Sequence, residues 1–143
     1  TTLWRNGSIV QRKTAPSGMS WTPSDEPWTI GCHQNFVGDP YRGFVKGGID
    51  DVRIYGRILS DTEIQNLAGG IGSGSAGLVG KWGMNENTGT TVADATGGGA
   101  TMSFVAPGFP APTWANGRNG GYAVATGYGN GMSAPPSPAV NTI

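Results

Sequence analysis

Three aromatic side chains stand where the sequence offers the most accessible chemistry. Trp21, Tyr41 and Tyr128 lie in Gly-, Pro- and Ser-rich stretches that read as exposed loops. Flat rings on loops with polar neighbours are suited to stacking on sugar rings, so these three are candidate carbohydrate contacts. Trp4, Trp28, Trp82 and Trp114 sit instead in strand-like contexts and read as core. Nucleophilic and transition-metal chemistry have poorer material. The single cysteine, Cys32, excludes an internal disulfide, and the only histidine, His33, follows it directly. With no second Cys or His the pair cannot close a zinc site, and it reads as a strand end with Cys32 a small buried hydrophobe. No serine lies in a nucleophile turn. The glutamates are only Glu26, Glu63 and Glu86, and none belongs to a paired-carboxylate motif for glycoside hydrolysis. Catalysis is therefore not expected.

The elements that must position these residues follow from composition. Among 143 residues there are 26 Gly and 10 Pro, 36% are hydrophobic and 13% are charged. Gly and Pro both penalise helix interiors, so short strands and tight turns are favoured. Five Trp, four Tyr and four Phe spread along the chain argue for a folded unit over a solvated tail. The expected class is an all-β, antiparallel sandwich. The formal net charge is zero, which leaves no basic face for nucleic acid. No run is apolar enough for membrane insertion as a helix. Residues 1–67 hold seven basic and seven acidic side chains, and residues 78–143 hold two of each. Between them, residues 68–77 read as a Gly/Ser linker.

Asn6-Gly7 between two β-prone runs predicts a hairpin. Trp28–Cys32 reads as a short strand, residues 35–48 as a loop, and Ile49–Tyr55 as the best strand, with Val52 and Ile54 on one face. Ser60, followed three residues later by Glu63, predicts a capping box at the start of a helix over 60–67, with Leu59 placed to staple against Ile64. Gly69 and Gly70 end it. Leu78–Met84 alternates as a strand with Leu78, Trp82 and Met84 on one side and Val79 and Lys81 on the other. Further strands are expected near Thr101–Val105 and Tyr122–Ala125. The Ala134–Pro138 run, with its three prolines, reads as a tail or surface crossing.

Residues 48–67 run Gly-Ile-Asp-Asp-Val-Arg-Ile-Tyr, then Arg57, Leu59, Ser60, Glu63, Ile64 and Leu67 at their spacing. This stretch resembles the closing segment of laminin-G-like domains of the concanavalin A-like lectin/glucanase kind. Leu3–Gly7 is similar to that family's Leu-Tyr-Val-Asp-Gly hairpin, and Trp28–Gly31 to a later strand. Residues 77–94 resemble the family's opening segment, and residues 112–123 its next landmark. The order is thus reversed, with the family's end first and its beginning second, and its middle strands have no counterpart. Either the chain spans the end of one tandem repeat and the start of the next, or it is a permuted or partial jelly-roll sandwich completed within itself or by a neighbour. Because the family's first and last strands are sheet neighbours, Leu78–Met84 is expected to pair with Ile49–Tyr55.

The resemblance carries further expectations. Asp94, followed by a Gly-rich turn, is similar to the family's segment that helps hold a structural calcium, and Asp50 and Asp51 would be the second contributors. Calcium takes several oxygens, which such loops supply as carbonyls. The competing role is an Asx-turn for Asp94 and an ion pair of Asp51 with Arg53 or Lys46. Two functions follow. One is an extracellular or cell-surface module for adhesion or carbohydrate binding, with a glycan or surface protein as partner. The other is a structural subunit of a filament, surface layer or virion that self-associates with neighbouring copies or repeats.

Overall fold

A computed structural model describes residues 1–14, 27–34, 41–72, 74–98, 100–106, 108–118 and 120–136, with backbone only for His33, Gln34, Tyr41 and Arg42. The chain begins with a hairpin, β1 (Thr2–Arg5) and β2 (Ser8–Arg12). Asn6 at φ 53° and Gly7 at φ 74° form the turn, both left-handed as a two-residue hairpin connection requires. Leu3 opposes Gln11 while Trp4 opposes Ile9, so Val10 is an extra, bulged residue. A Cβ on Gly7 would stand 3.2 Å from the Ala68 Cβ, so the turn lies directly against the helix that follows later in the chain.

The remaining strands are β3 (Trp28–Ile30), β4 (His33–Gln34), β5 (Tyr41–Arg42), β6 (Gly47–Ile49), β7 (Val52–Tyr55), β8 (Leu78–Trp82), β9 (Thr91–Val92), β10 (Met102–Val105), β11 (Thr113–Asn116), β12 (Tyr122–Thr126) and β13 (Gly131–Ala134). All pairings are antiparallel. They form a four-stranded sheet in the order β3-β13-β10-β9, a three-stranded sheet β11-β12-β6, and the pairs β1-β2, β4-β5 and β7-β8. Three of these ladders join the two halves across the Gly/Ser stretch: β3 with β13, β6 with β12, and β7 with β8. The expected pairing of the opening and closing strands is therefore present within the chain, with Val52 opposite Trp82 and Ile54 opposite Gly80.

Several expectations need correction. The stretch Ile49–Tyr55 is two strands, broken at Asp50 and Asp51. Asp51 takes φ 49°, a conformation Asp tolerates better than most residues, and the chain there leaves one sheet for another. The loop expected over 35–48 contains β5 and most of β6. Strict alternation in β8 fails because the register slips between Ile54 and Tyr55, leaving Val79 as an extra residue. Val79 consequently packs against the core despite its predicted outward position. Ala134 is no tail residue: it closes β13, an inner strand, and is 1% exposed. Small residues are required there, since a Cβ on Gly131 would lie 2.6 Å from the Cys32 sulfur. The prolines begin only once the ladder has ended.

The helix α1 (Asp61–Ala68) has the predicted capping box. The Ser60 side chain accepts from the Glu63 amide, and the Glu63 carboxylate accepts from the Ser60 amide. Its end is closed by the Ile71 amide bonding to the Asn66 carbonyl and the Gly70 amide to the Leu67 carbonyl, with Gly70 left-handed. Leu59 and Ile64 are both half-buried.

The core comprises Trp82, Met84, Val92, Ala100, Met102, Val124, Met132 and Ala134. The Trp82 indole N–H donates to the buried Ala100 carbonyl at 2.7 Å, which satisfies the ring's one polar group. Trp28, Ile30, Ile49, Val52 and Ile54 from the first half pack over this cluster. Burial of each large apolar side chain contributes about 1.5–3 kcal/mol.

Candidate functional site

The expected loop aromatics fall unequally. Trp21 lies outside the described residues, and Tyr41 is in β5 opposite Gln34, its ring outside the described atoms. Tyr128, in the turn between β12 and β13, is 76% exposed. Two rings that sequence reasoning passed over flank it. Phe44 lies with its centroid 5.5 Å away, and Phe109 meets it edge-on at 5.2 Å and 87°. Phe109 is itself exposed, and Phe44 is half-buried. The three come from separate connections: the one before β6, the one after β10 and the β12–β13 turn.

Fixed polar contacts hold these connections in place. Asn130, 8% exposed, accepts from the Gly127 amide at 2.7 Å and donates to the Pro110 carbonyl at 2.8 Å, locking the Tyr128 turn to the Phe109 loop. The Thr126 hydroxyl donates to the Val45 carbonyl at 2.8 Å, tying the same turn to the Phe44 loop. Gly129, left-handed at φ 84°, lets the Phe109 ring lie against the backbone where any Cβ would collide with it. Bonds of the Asn130 and Thr126 side chains thus fix the three connections relative to one another.

The aspartates have structural employment. One Asp94 carboxylate oxygen accepts from the Lys81 amide at 3.0 Å, the Thr96 amide at 2.9 Å and the Thr96 hydroxyl at 2.8 Å, the hydroxyl also reaching the other oxygen. Burial pushes this carboxyl up, but those bonds and one from the Gly98 backbone outweigh it and hold it below the ordinary aspartate value. Asp51 is clasped by Arg53 through two bonds of 3.0 and 2.6 Å. Asp50 accepts from the Arg118 amide at 3.4 Å. Among the described residues no group of three or more His, Cys, Asp or Glu side chains is arranged to hold a metal ion. Asp94 is engaged by Lys81 and Thr96, and Asp51 by Arg53.

Asp50 and Asp51 instead share a cleft of about 270 Å³ at the end of α1, lined also by Arg53, Arg118, Leu67 and the backbone of 69–72. Elsewhere, Glu63 is engaged by Arg57 and Ser60, and Glu86 accepts from the Ala93 amide. Glu26 and the His33 ring lie outside the described atoms. Burial pushes the Cys32 thiol up, outweighing a backbone bond at Met132, which disfavours the reactive thiolate.

Residues 1–65 match the family model Laminin_G_3, described as the concanavalin A-like lectin/glucanases superfamily. The matched stretch covers the first hairpin, β3 to β7 and the start of the capped helix. Antiparallel sheets with one short helix are consistent with a sandwich of that kind, and the second half enters it through the three ladders that cross the Gly/Ser stretch. No curated protein and no solved structure matches the chain. No helix among the described residues is long and apolar enough to cross a membrane.

Proposed function

We propose that this chain is a non-catalytic, extracellular carbohydrate-binding or adhesion module that engages glycan through the Tyr128 platform. The observation that carries the reading is the Tyr128–Phe44–Phe109 cluster, with Tyr128 and Phe109 exposed and the connections braced by the bonds of Asn130 and Thr126. The apolar face of a pyranose stacks on such rings, while neighbouring carbonyls and hydroxyls accept its hydroxyl protons. The family match over residues 1–65 supports a binding module. Glycan-array binding by monomeric protein is the test. Tyr128→Ala should weaken the bound glycan about tenfold, the loss of a stacking contact of about 1 kcal/mol or slightly more. Thermal stability should stay nearly unchanged, because the ring is mostly in solvent. Binding that survives Tyr128→Ala at full strength would defeat the reading.

A second reading, a structural subunit that assembles with neighbouring copies, is favoured by the β1–β2 hairpin. Every residue of β2 is exposed, including Ile9 and Val10, and its sheet has only two strands among the described residues. Such an edge accepts a further strand. Concentration-dependent polymerisation without glycan binding would select this reading.

A further inference from the structure

The cleft at the end of α1 is a product of the join between the halves. Asp50 and Asp51 come from the break between β6 and β7, Leu67 and the glycines from the helix end, and Arg118 from the turn between β11 and β12. Two carboxylates and two guanidiniums make it electrically neutral, yet its polar groups are unevenly used. Asp51 and Arg53 satisfy each other. Arg118 spends one terminal nitrogen on the Ala68 carbonyl at 3.3 Å, and Asp50 spends one oxygen on the Arg118 amide. That leaves the second Asp50 oxygen and the second terminal nitrogen of Arg118 without partners among the described residues, an acceptor-only group and a donor-only group on residues that line one cleft.

We propose that this cleft is a binding site for a neutral polyol, a pyranose ring or cyclitol with adjacent hydroxyls, held between Asp50 and Arg118. A hydroxyl both donates and accepts, so neighbouring hydroxyls link the carboxylate to the guanidinium without bringing in charge. An anion would face Asp50 and Asp51, and a cation would face Arg53 and Arg118. Leu67 offers an apolar wall to the C–H bonds of the ring, and residues 69, 70 and 72 are glycines, so the ring can approach the backbone closely. The volume, about 270 Å³, lies just below that of pockets for drug-sized ligands, which suits a single ring. This site is independent of the Tyr128 platform.

Backbone-amide NMR of the full chain tests it, with myo-inositol and methyl β-galactoside as neutral probes. Glucuronate, glycine and calcium chloride serve as charged controls. The neutral probes should shift the amides of Gly69, Gly70, Gly72 and Arg118 together, and saturate. Arg118→Ala should weaken that binding at least tenfold, the usual scale for a lost hydrogen bond to a charged group. Asp50→Asn, which keeps an acceptor and the side-chain shape, should weaken it less. Tyr128→Ala should leave it intact, so failure at the platform and failure at the cleft are separable. Tighter binding of glucuronate, glycine or calcium would overturn the proposal. So would shifts confined to other residues, or no shift in the unsubstituted chain at saturating probe.

Discussion

The segment around α1 and the core centred on Trp82 are built on opposite principles. From Arg57 to Ile71 the bonds that cap and close the helix are made within a few residues, while Arg12 and Arg118 reach it from elsewhere in the chain. Ser60 and Glu63 cap each other, Arg57 reaches Glu63, and the helix end is closed by its own next turn. None of the helix residues is buried. The core is the reverse. Its fully buried members all come from residues 82–134, no local motif marks most of them, and they are sealed by strands from the first half. A recognisable motif therefore marks where local geometry is strong, while stability resides where side chains from distant positions converge.

Three perturbations sharpen that contrast. The largest effect belongs to Trp82→Ala, which removes a 1% exposed ring and orphans the Ala100 carbonyl. The expected cost is about 3–5 kcal/mol in urea unfolding, enough to unfold a marginal domain, and both halves should melt together because they share ladders. Separate melting of the halves would break the comparison. Ser60→Ala should cost about 1 kcal/mol, the usual value of an N-cap. Its effect should show as faster amide exchange in residues 61–64 with the Trp82 environment unchanged. A loss as large as that from Trp82→Ala would mean that the helix is a keystone and not a local unit.

The smallest effect is acid sensitivity. Bonds from Arg57 and Ser60 lower the Glu63 carboxyl from its ordinary value of 4.5 to about 2. Its folded-state value is thus depressed, so the stabilisation is complete above about pH 4.5 and is lost as pH falls towards 2. Asp94, also held below its ordinary value, acts in the same direction. A carbon-detected titration of Glu63 should show the low midpoint in the unsubstituted chain and a rise towards the ordinary value in Ser60→Ala. An unchanged midpoint in the variant would assign the shift to Arg57 and the Ser60 backbone amide, both of which the substitution keeps.

The candidate sites were legible in proportion to their locality. Tyr128 stood out as an aromatic in a Gly-rich turn, but nothing in its neighbourhood announces Phe44 or Phe109, which arrive from other connections. Asp94 with Thr96 two residues on is readable as a self-satisfied turn, and it is one. Asp50 and Asp51 were legible as paired carboxylates on a strand. Their partner Arg118 was not, since only the fold brings the two regions together.

What the sequence determined by itself is the set of elements whose energetics are short-ranged. These are the Asn6-Gly7 turn, the capped helix from Ser60, the strand-forming runs on either side of the Gly/Ser stretch, and the all-β class. Tertiary structure alone decided that Ile49–Tyr55 breaks at Asp51 to serve two sheets, that a bulge turns Val79 inward, and that Gly131–Ala134 is an inner strand. The reason is physical. A turn or a cap is decided by φ/ψ preference and hydrogen bonds within a few residues, whereas register and burial depend on which distant strand supplies the partner, and small residues such as Gly131 reveal their role only when the Cys32 sulfur is packed against them.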